Sequence, residues 1–162
     1  MMYSGKTTIG KLLSKKINFP LLDIDDELQK ILDMPISKIF EIYGEKKFRI
    51  FEAVFFKECS KLDRHIFAPG GGIILNDESR LILKNNNAVF FLDSSPEIIY
   101  ERFQKDNNKN YRPLLADGSI QLINKLYKKR YNIYKSCSDF IINTDLYSEN
   151  QVVTQIEKYL NA

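Results

Sequence analysis

The sequence contains no tryptophan, two cysteines and a single histidine. Cys59 and Cys137 stand apart, without metal-like spacing, and read as reduced thiols in a reducing compartment. With His65 alone, Ser–His catalysis and histidine-rich metal sites lose their main ingredient; beside Arg64 and before an apolar strand, His65 reads as structural. No apolar run approaches the roughly 20 residues that span a bilayer. A basic stretch, apolar core and small-residue cleavage site of a signal peptide are also lacking, so a cytoplasmic protein with no membrane partner is the default. Charge of one sign is scarce too. The 24 basic and 21 acidic residues leave a net charge of +3, too mild to imply a nucleic-acid partner. Arginine is limited to positions 49, 64, 80, 102, 112 and 130. As the side chain suited to forked recognition of phosphate and carboxylate, each is informative in context.

What is present is an ordinary globular composition, 44% hydrophobic and 28% charged over 162 residues, which fits one domain. Ile9, Leu12, Leu13 and Ile17 recur at helical spacing. "FPLLDID" is a short apolar strand ending in carboxylates, and "HIFAPGGG" is a strand running into three glycines. "NAVFFLD" and "DFIINT" are further strands. A long helix from Ile36 is expected to break near Gly44. Ser95-Pro96-Glu97 opens another helix, and Ser148 with Gln151 forms a capping-box pattern before the last one. Apolar strands alternating with helices predict an α/β fold, a parallel sheet covered on both faces. Ligands in such folds bind beyond the carboxyl ends of the strands.

Four groups of residues fall there or beside it. Ser4-Gly5-Lys6-Thr7-Thr8, running into a helix, matches the back half of a phosphate-binding loop. Asp23 and Asp25 lie two apart on the expected strand, so both carboxylates face one site; unaided, they could equally be a solvated strand end. Arg49 and Glu52 lie three apart on a helix face and can pair. Gly70-Gly71-Gly72 lets a ligand approach the backbone closely. Arg112 lies in "NYRPLLADGS", a polar stretch with the character of a mobile lid.

In this order and at these spacings the chain resembles the shikimate kinase family nearly end to end. The match runs through Gly5-Lys6-Thr7, Asp23-x-Asp25, Gly44-Glu45-x-x-Phe48-Arg49-x-x-Glu52 and Gly70-Gly71-Gly72. It continues with Arg112-Pro113-Leu114-Leu115, Arg130-x-x-x-Tyr134 and Ile142-Asn143-Thr144-Asp145. The resemblance implies a P-loop NTPase-like three-layer fold with an acceptor-binding region at about 25–52 and a lid at about 105–119. The implied reaction is phosphoryl transfer from MgATP to a hydroxyl of shikimate, a step of aromatic amino acid (chorismate) biosynthesis, by a monomer.

Roles follow by position. Ser4, Gly5, Lys6, Thr7 and Thr8 would hold the nucleotide phosphates, with Thr7 and Asp23 serving Mg²⁺. Asp25 would bind the acceptor hydroxyls and take the proton from the attacking one. Arg49 and Arg130 would clamp the acceptor carboxylate, with Glu52 orienting Arg49 and Gly70, Gly71 and Gly72 completing the pocket. Arg102 would lie near the nucleotide, and Arg112 would neutralise the transferring phosphoryl group. Lys6, Asp25 and Arg112 are thus the expected catalytic residues.

Two departures stand out. Tyr3 occupies a loop position where the family commonly has glycine, and the strand and first glycine of the loop are absent. The expectation is therefore a truncated sequence whose parent begins about ten residues earlier. Tyr147 falls in the loop expected to face adenine. Two other readings remain: a P-loop kinase for a different small carboxylated polyol, or a kinase-like protein without catalysis.

Overall fold

Helix α1 (Lys6–Ile17) starts directly on Gly5, whose φ of 88° turns the chain sharply into the first helical turn. Its buried stripe, Ile9 and Leu13, packs with Val152, Val153 and Ile156 of α7 (Glu149–Leu160). A Lys16–Glu157 ion pair at 2.6 Å closes the outer edge of that contact. The computed structural model describes residues 1–85, 88–106 and 118–161. Arg112 and residues 107–117 of the expected lid lie outside the described residues.

Strand β1 (Leu21–Asp23) pairs in parallel with β2 (Ile66–Ala68), Leu22 opposite Phe67. Strand β3 (Phe90–Asp93) pairs in parallel with β4 (Phe140–Asn143), Phe91 opposite Ile141. The parallel order is as the sequence predicts. Among the described residues the strands form two pairs rather than one continuous ladder.

Alternation along these strands makes two cores. Phe91 joins Ile24, Phe48, Ile99 and Ile123 on one side, whereas its neighbour Leu92 joins Ile9, Ile142 and Val152 on the other. Successive strand residues point to opposite faces, so helices cover both. The first core is built by α2 (Ile24–Leu32), α3 (Ile36–Cys59), α5 (Pro96–Lys105) and α6 (Ile120–Ser136); α4 (Asp77–Lys84) follows a short 3₁₀ turn at Ile73–Leu75. Met1 and Met2 are buried in the same core.

The caps read from the sequence are present. Ser95 Oγ accepts from the Ile98 amide, and Ser148 and Gln151 close a reciprocal capping box. The break in α3 falls on Gly44, at φ 74° and ψ 163°. One expectation is corrected. The strand holding Asp23 ends there, and Asp25 lies in the first turn of α2 rather than on a strand. Asp23 itself terminates the strand, because its Oδ1 caps α2 by accepting from the Asp25 and Asp26 amides.

Candidate active site

The phosphate loop offers the uncapped N-terminus of α1. No side chain caps that end and no acidic residue occupies its first turn, so its amides and the positive pole of the helix are suited to an anion. Lys6 Nζ donates to the Met1 carbonyl at 2.8 Å, and the buried Ser4 donates to the same oxygen at 2.9 Å. Thr7 Oγ1 donates to Asp23 Oδ2 at 2.6 Å. Arg102 ties the loop to the far strand pair, donating to the Tyr3 carbonyl at 2.9 Å and the Thr144 carbonyl at 3.2 Å. Residues 3–9 with Arg102, Thr144 and Tyr147 line an open cavity of about 380 Å³, within the range of small-molecule sites.

A second cavity, of about 100 Å³, opens on the other side of Lys6 and Thr7. Its polar wall contains Asp23, Asp25, Arg49, Gly70, Gly71, Gly72 and Arg130, and its apolar wall Ile36, Phe40 and Phe48. Arg49 Nη1 pairs with Glu52 at 2.6 Å and its Nη2 with Glu45 at 3.3 Å. The guanidinium also lies over the Phe48 ring, 5.1 Å from its centroid. Glu52 is 1% exposed. Burial pushes its carboxyl above the usual carboxylate range, outweighing the nearby Arg49 charge.

Of three buried side-chain polar atoms without a hydrogen-bond partner among the described residues, two, Glu52 Oε1 and Arg130 Nε, belong to this cluster; the third is Ser79 Oγ. Such orphans are costly unless a ligand satisfies them. Two of the glycines act by what they lack. A Cβ on Gly70 would fall between Glu52 Oε1 and Asp25 Oδ1, and one on Gly72 would land on the Arg49 guanidinium.

The structure therefore brings nearly every predicted residue to two adjoining cavities, whose common wall is Lys6 and Thr7. Asp23 and Asp25 share the second cavity because the first caps the helix carrying the second, not because of strand alternation. Gly5, Ser4, Thr8 and Arg102 fall on the phosphate-loop cavity. His65 sits apart, stacked on Phe67 with Nδ1 at 2.7 Å from the Asp63 carbonyl.

Some residues were missed as site elements. Tyr134 donates to the Gly71 carbonyl at 2.5 Å and stacks on Phe91, fixing the glycine turn. Its spacing of four from Arg130 on α6 was the available signal. Glu45 is a second partner of Arg49, one helical turn before it.

Among the described residues no group of three or more His, Cys, Asp or Glu side chains could hold a metal alone. The hydroxyl–carboxylate contact of Thr7 with Asp23 fits Mg²⁺, which binds through few protein oxygens together with substrate phosphates.

A family model described as shikimate kinase matches residues 2–161. The chain belongs to the shikimate kinase family. A shikimate kinase of Caldicellulosiruptor saccharolyticus is 42% identical over 156 residues, covering 96% of this chain and 88% of that one. Among solved structures, a shikimate kinase from Acinetobacter baumannii in complex with shikimate superposes with a TM-score of 0.89 at 28% identity. It covers 97% of this chain and 87% of that one. The shikimate kinase of Aquifex aeolicus gives 0.81 at 32% identity, covering 99% and 92%. Membership in this family makes the chain an ATP-dependent small-molecule kinase, a transferase.

Proposed function

We infer that the chain transfers the γ-phosphate of ATP to a hydroxyl of shikimate, giving shikimate 3-phosphate on the route to aromatic amino acids. The observation that carries this reading is the shared wall. A phosphate loop and a cavity lined by Arg49 and Arg130 meet at Lys6 and Thr7, which is where donor and acceptor oxygens must come together.

Lys6 and the amides of Gly5 to Thr8 hold the nucleotide phosphates against the positive end of α1. Thr7 and Asp23 would hold Mg²⁺, which would supply neutralisation of charge on the phosphate oxygens. Arg49 and Arg130 clamp the carboxylate of shikimate, satisfying the orphaned Arg130 Nε. Glu52 and Glu45 hold the Arg49 fork in place. Asp25 accepts hydrogen bonds from the ring hydroxyls and takes the proton of the attacking one. The new P–O bond forms at that oxygen as the bond to the bridging oxygen breaks, and ADP leaves. Such a reaction depends on positioning and charge neutralisation rather than on a protein nucleophile. Arg112, in the segment outside the described residues, supplies positive charge to the transferring group.

The chain is read as one domain over residues 1–162, with acceptor residues in about 25–52 and a lid at about 105–119, working as a monomer in the cytoplasm. No nucleic acid or membrane is involved in this reading. No helix among the described residues is long and apolar enough to cross a membrane.

Coupled measurement of ADP release tests the assignment, with shikimate compared against a panel of other hydroxy acids. Release that depends on shikimate is expected. Equal release with a hydroxy acid lacking the ring, or none with any acceptor, would overturn it.

A further inference from the structure

Tyr3 is the residue of the phosphate loop that suits its backbone least. Its φ of 56° is left-handed, open to glycine but disfavoured for a tyrosine by about five- to thirtyfold in population. A strained residue persists where its surroundings over-determine it, and here one short stretch at the end of α5 does so. The Tyr3 hydroxyl donates to Asp106 Oδ2 at 2.8 Å, and its ring meets Phe103 edge-on with centroids 5.7 Å apart. Its carbonyl accepts from Arg102 Nη1 at 2.9 Å. The same residue lines the phosphate-loop cavity beside Ser4, Gly5 and Lys6.

We propose that Tyr3 is a positioning residue for the nucleotide: anchored on Asp106 and Phe103, its side chain holds the loop in the left-handed turn that presents the Gly5 to Thr8 amides to phosphate. The inference rests on reading that cavity as the nucleotide site. It works through populations. A loop that loses its anchor relaxes toward negative φ, the competent fraction falls, and the apparent dissociation constant rises by the inverse of that fraction. Glycine at this position takes the turn without strain and needs no anchor. Alanine keeps the strain and loses the anchor. An ordinary packing role gives the reverse order, since glycine removes more atoms than alanine.

The test is calorimetric titration of the whole chain with MgADP, and separately with shikimate. The variants are Tyr3→Phe, Tyr3→Ala, Tyr3→Gly and Asp106→Ala, the first and third also combined with the fourth. Tyr3→Ala is expected to weaken MgADP binding about tenfold, and Tyr3→Gly to stay within about twofold of wild type. Tyr3→Phe weakens it by about threefold and Asp106→Ala by at least as much, and their combination is no worse than Asp106→Ala alone, because the bond between the two is then already lost. The glycine variant becomes indifferent to Asp106→Ala, and shikimate affinity does not move in any of them. Glycine binding MgADP as weakly as alanine, or alanine binding like wild type, overturns the inference alone. A wild-type chain that binds no MgADP overturns the nucleotide reading of the cavity and this inference with it.

Discussion

Gly72→Ala separates positioning of the acceptor from stability of the fold. Gly72 has ordinary right-handed backbone, φ −94° and ψ −9°, so alanine there brings no backbone strain. The added Cβ falls instead on Cζ, Nη1 and Nε of Arg49. Those atoms end a flexible side chain, so the guanidinium gives way rather than the main chain. Complete loss of a buried ion pair costs about 3–5 kcal/mol. A displaced Arg49 still reaches Glu52, now 2.6 Å away, and the strain of a shifted rotamer costs about 1–2 kcal/mol. The acceptor carboxylate loses a charge-assisted bond worth about 1.5–3 kcal/mol, a rise of about ten- to hundredfold in KM for shikimate. Gly72 does not line the phosphate-loop cavity, so KM for ATP should stay put. Steady-state kinetics with each substrate varied in turn, together with a melting curve, makes the comparison. An unchanged KM for shikimate, or equal losses for both substrates, would refute the reasoning.

Other perturbations address the remaining parts of the site. Tyr134→Phe removes the 2.5 Å bond to the Gly71 carbonyl; steady-state kinetics should show KM for shikimate up by about three- to tenfold with kcat less affected. Arg112→Ala should lower kcat by about 10³- to 10⁵-fold while leaving the melting temperature near wild type, measured by coupled assay and calorimetry. Partial burial pushes the Asp145 carboxyl up, but bonds from Ser94 Oγ at 2.6 Å and the Ser95 amide at 2.8 Å outweigh it, helped by Arg102, and hold it below its ordinary value. A lowered pKa gives stability that is present above the unfolded-state value and is lost as pH falls through the folded-state one. Asp145→Ala should therefore cost about 1–2 kcal/mol at neutral pH, discounted for solvent, and the gap in melting curves should close below about pH 4.

Much of the site was legible because its parts are short, local patterns. Gly5-Lys6-Thr7 before an amphipathic run places the helix N-terminus, and a spacing of three predicts the Arg49–Glu52 pair seen at 2.6 Å. The caps at Ser95 and Ser148 are likewise local chemistry. Contacts that depend on tertiary approach were not legible. The spacing of four puts Tyr134 on the helix face of Arg130, but only the fold brings its hydroxyl to Gly71, 63 positions earlier in the chain. Asp25 was misplaced on a strand because "LLDID" alternates, whereas the side chain of Asp23 competes for the next amides and starts a helix. Tyr3 was legible as a departure from glycine, but it takes a left-handed backbone with its side chain drawn to Asp106, and only coordinates could reveal that partner.

Whether the two cavities meeting at Lys6 and Thr7 bring an ATP phosphate to a hydroxyl of one small carboxylated ring is read by phosphorus NMR of the chain with ATP, Mg²⁺ and shikimate. A new phosphomonoester resonance should grow as the γ-phosphate signal is lost, and should require shikimate. Inorganic phosphate released at the same rate with or without shikimate, or an ATP spectrum that never changes, would contradict it.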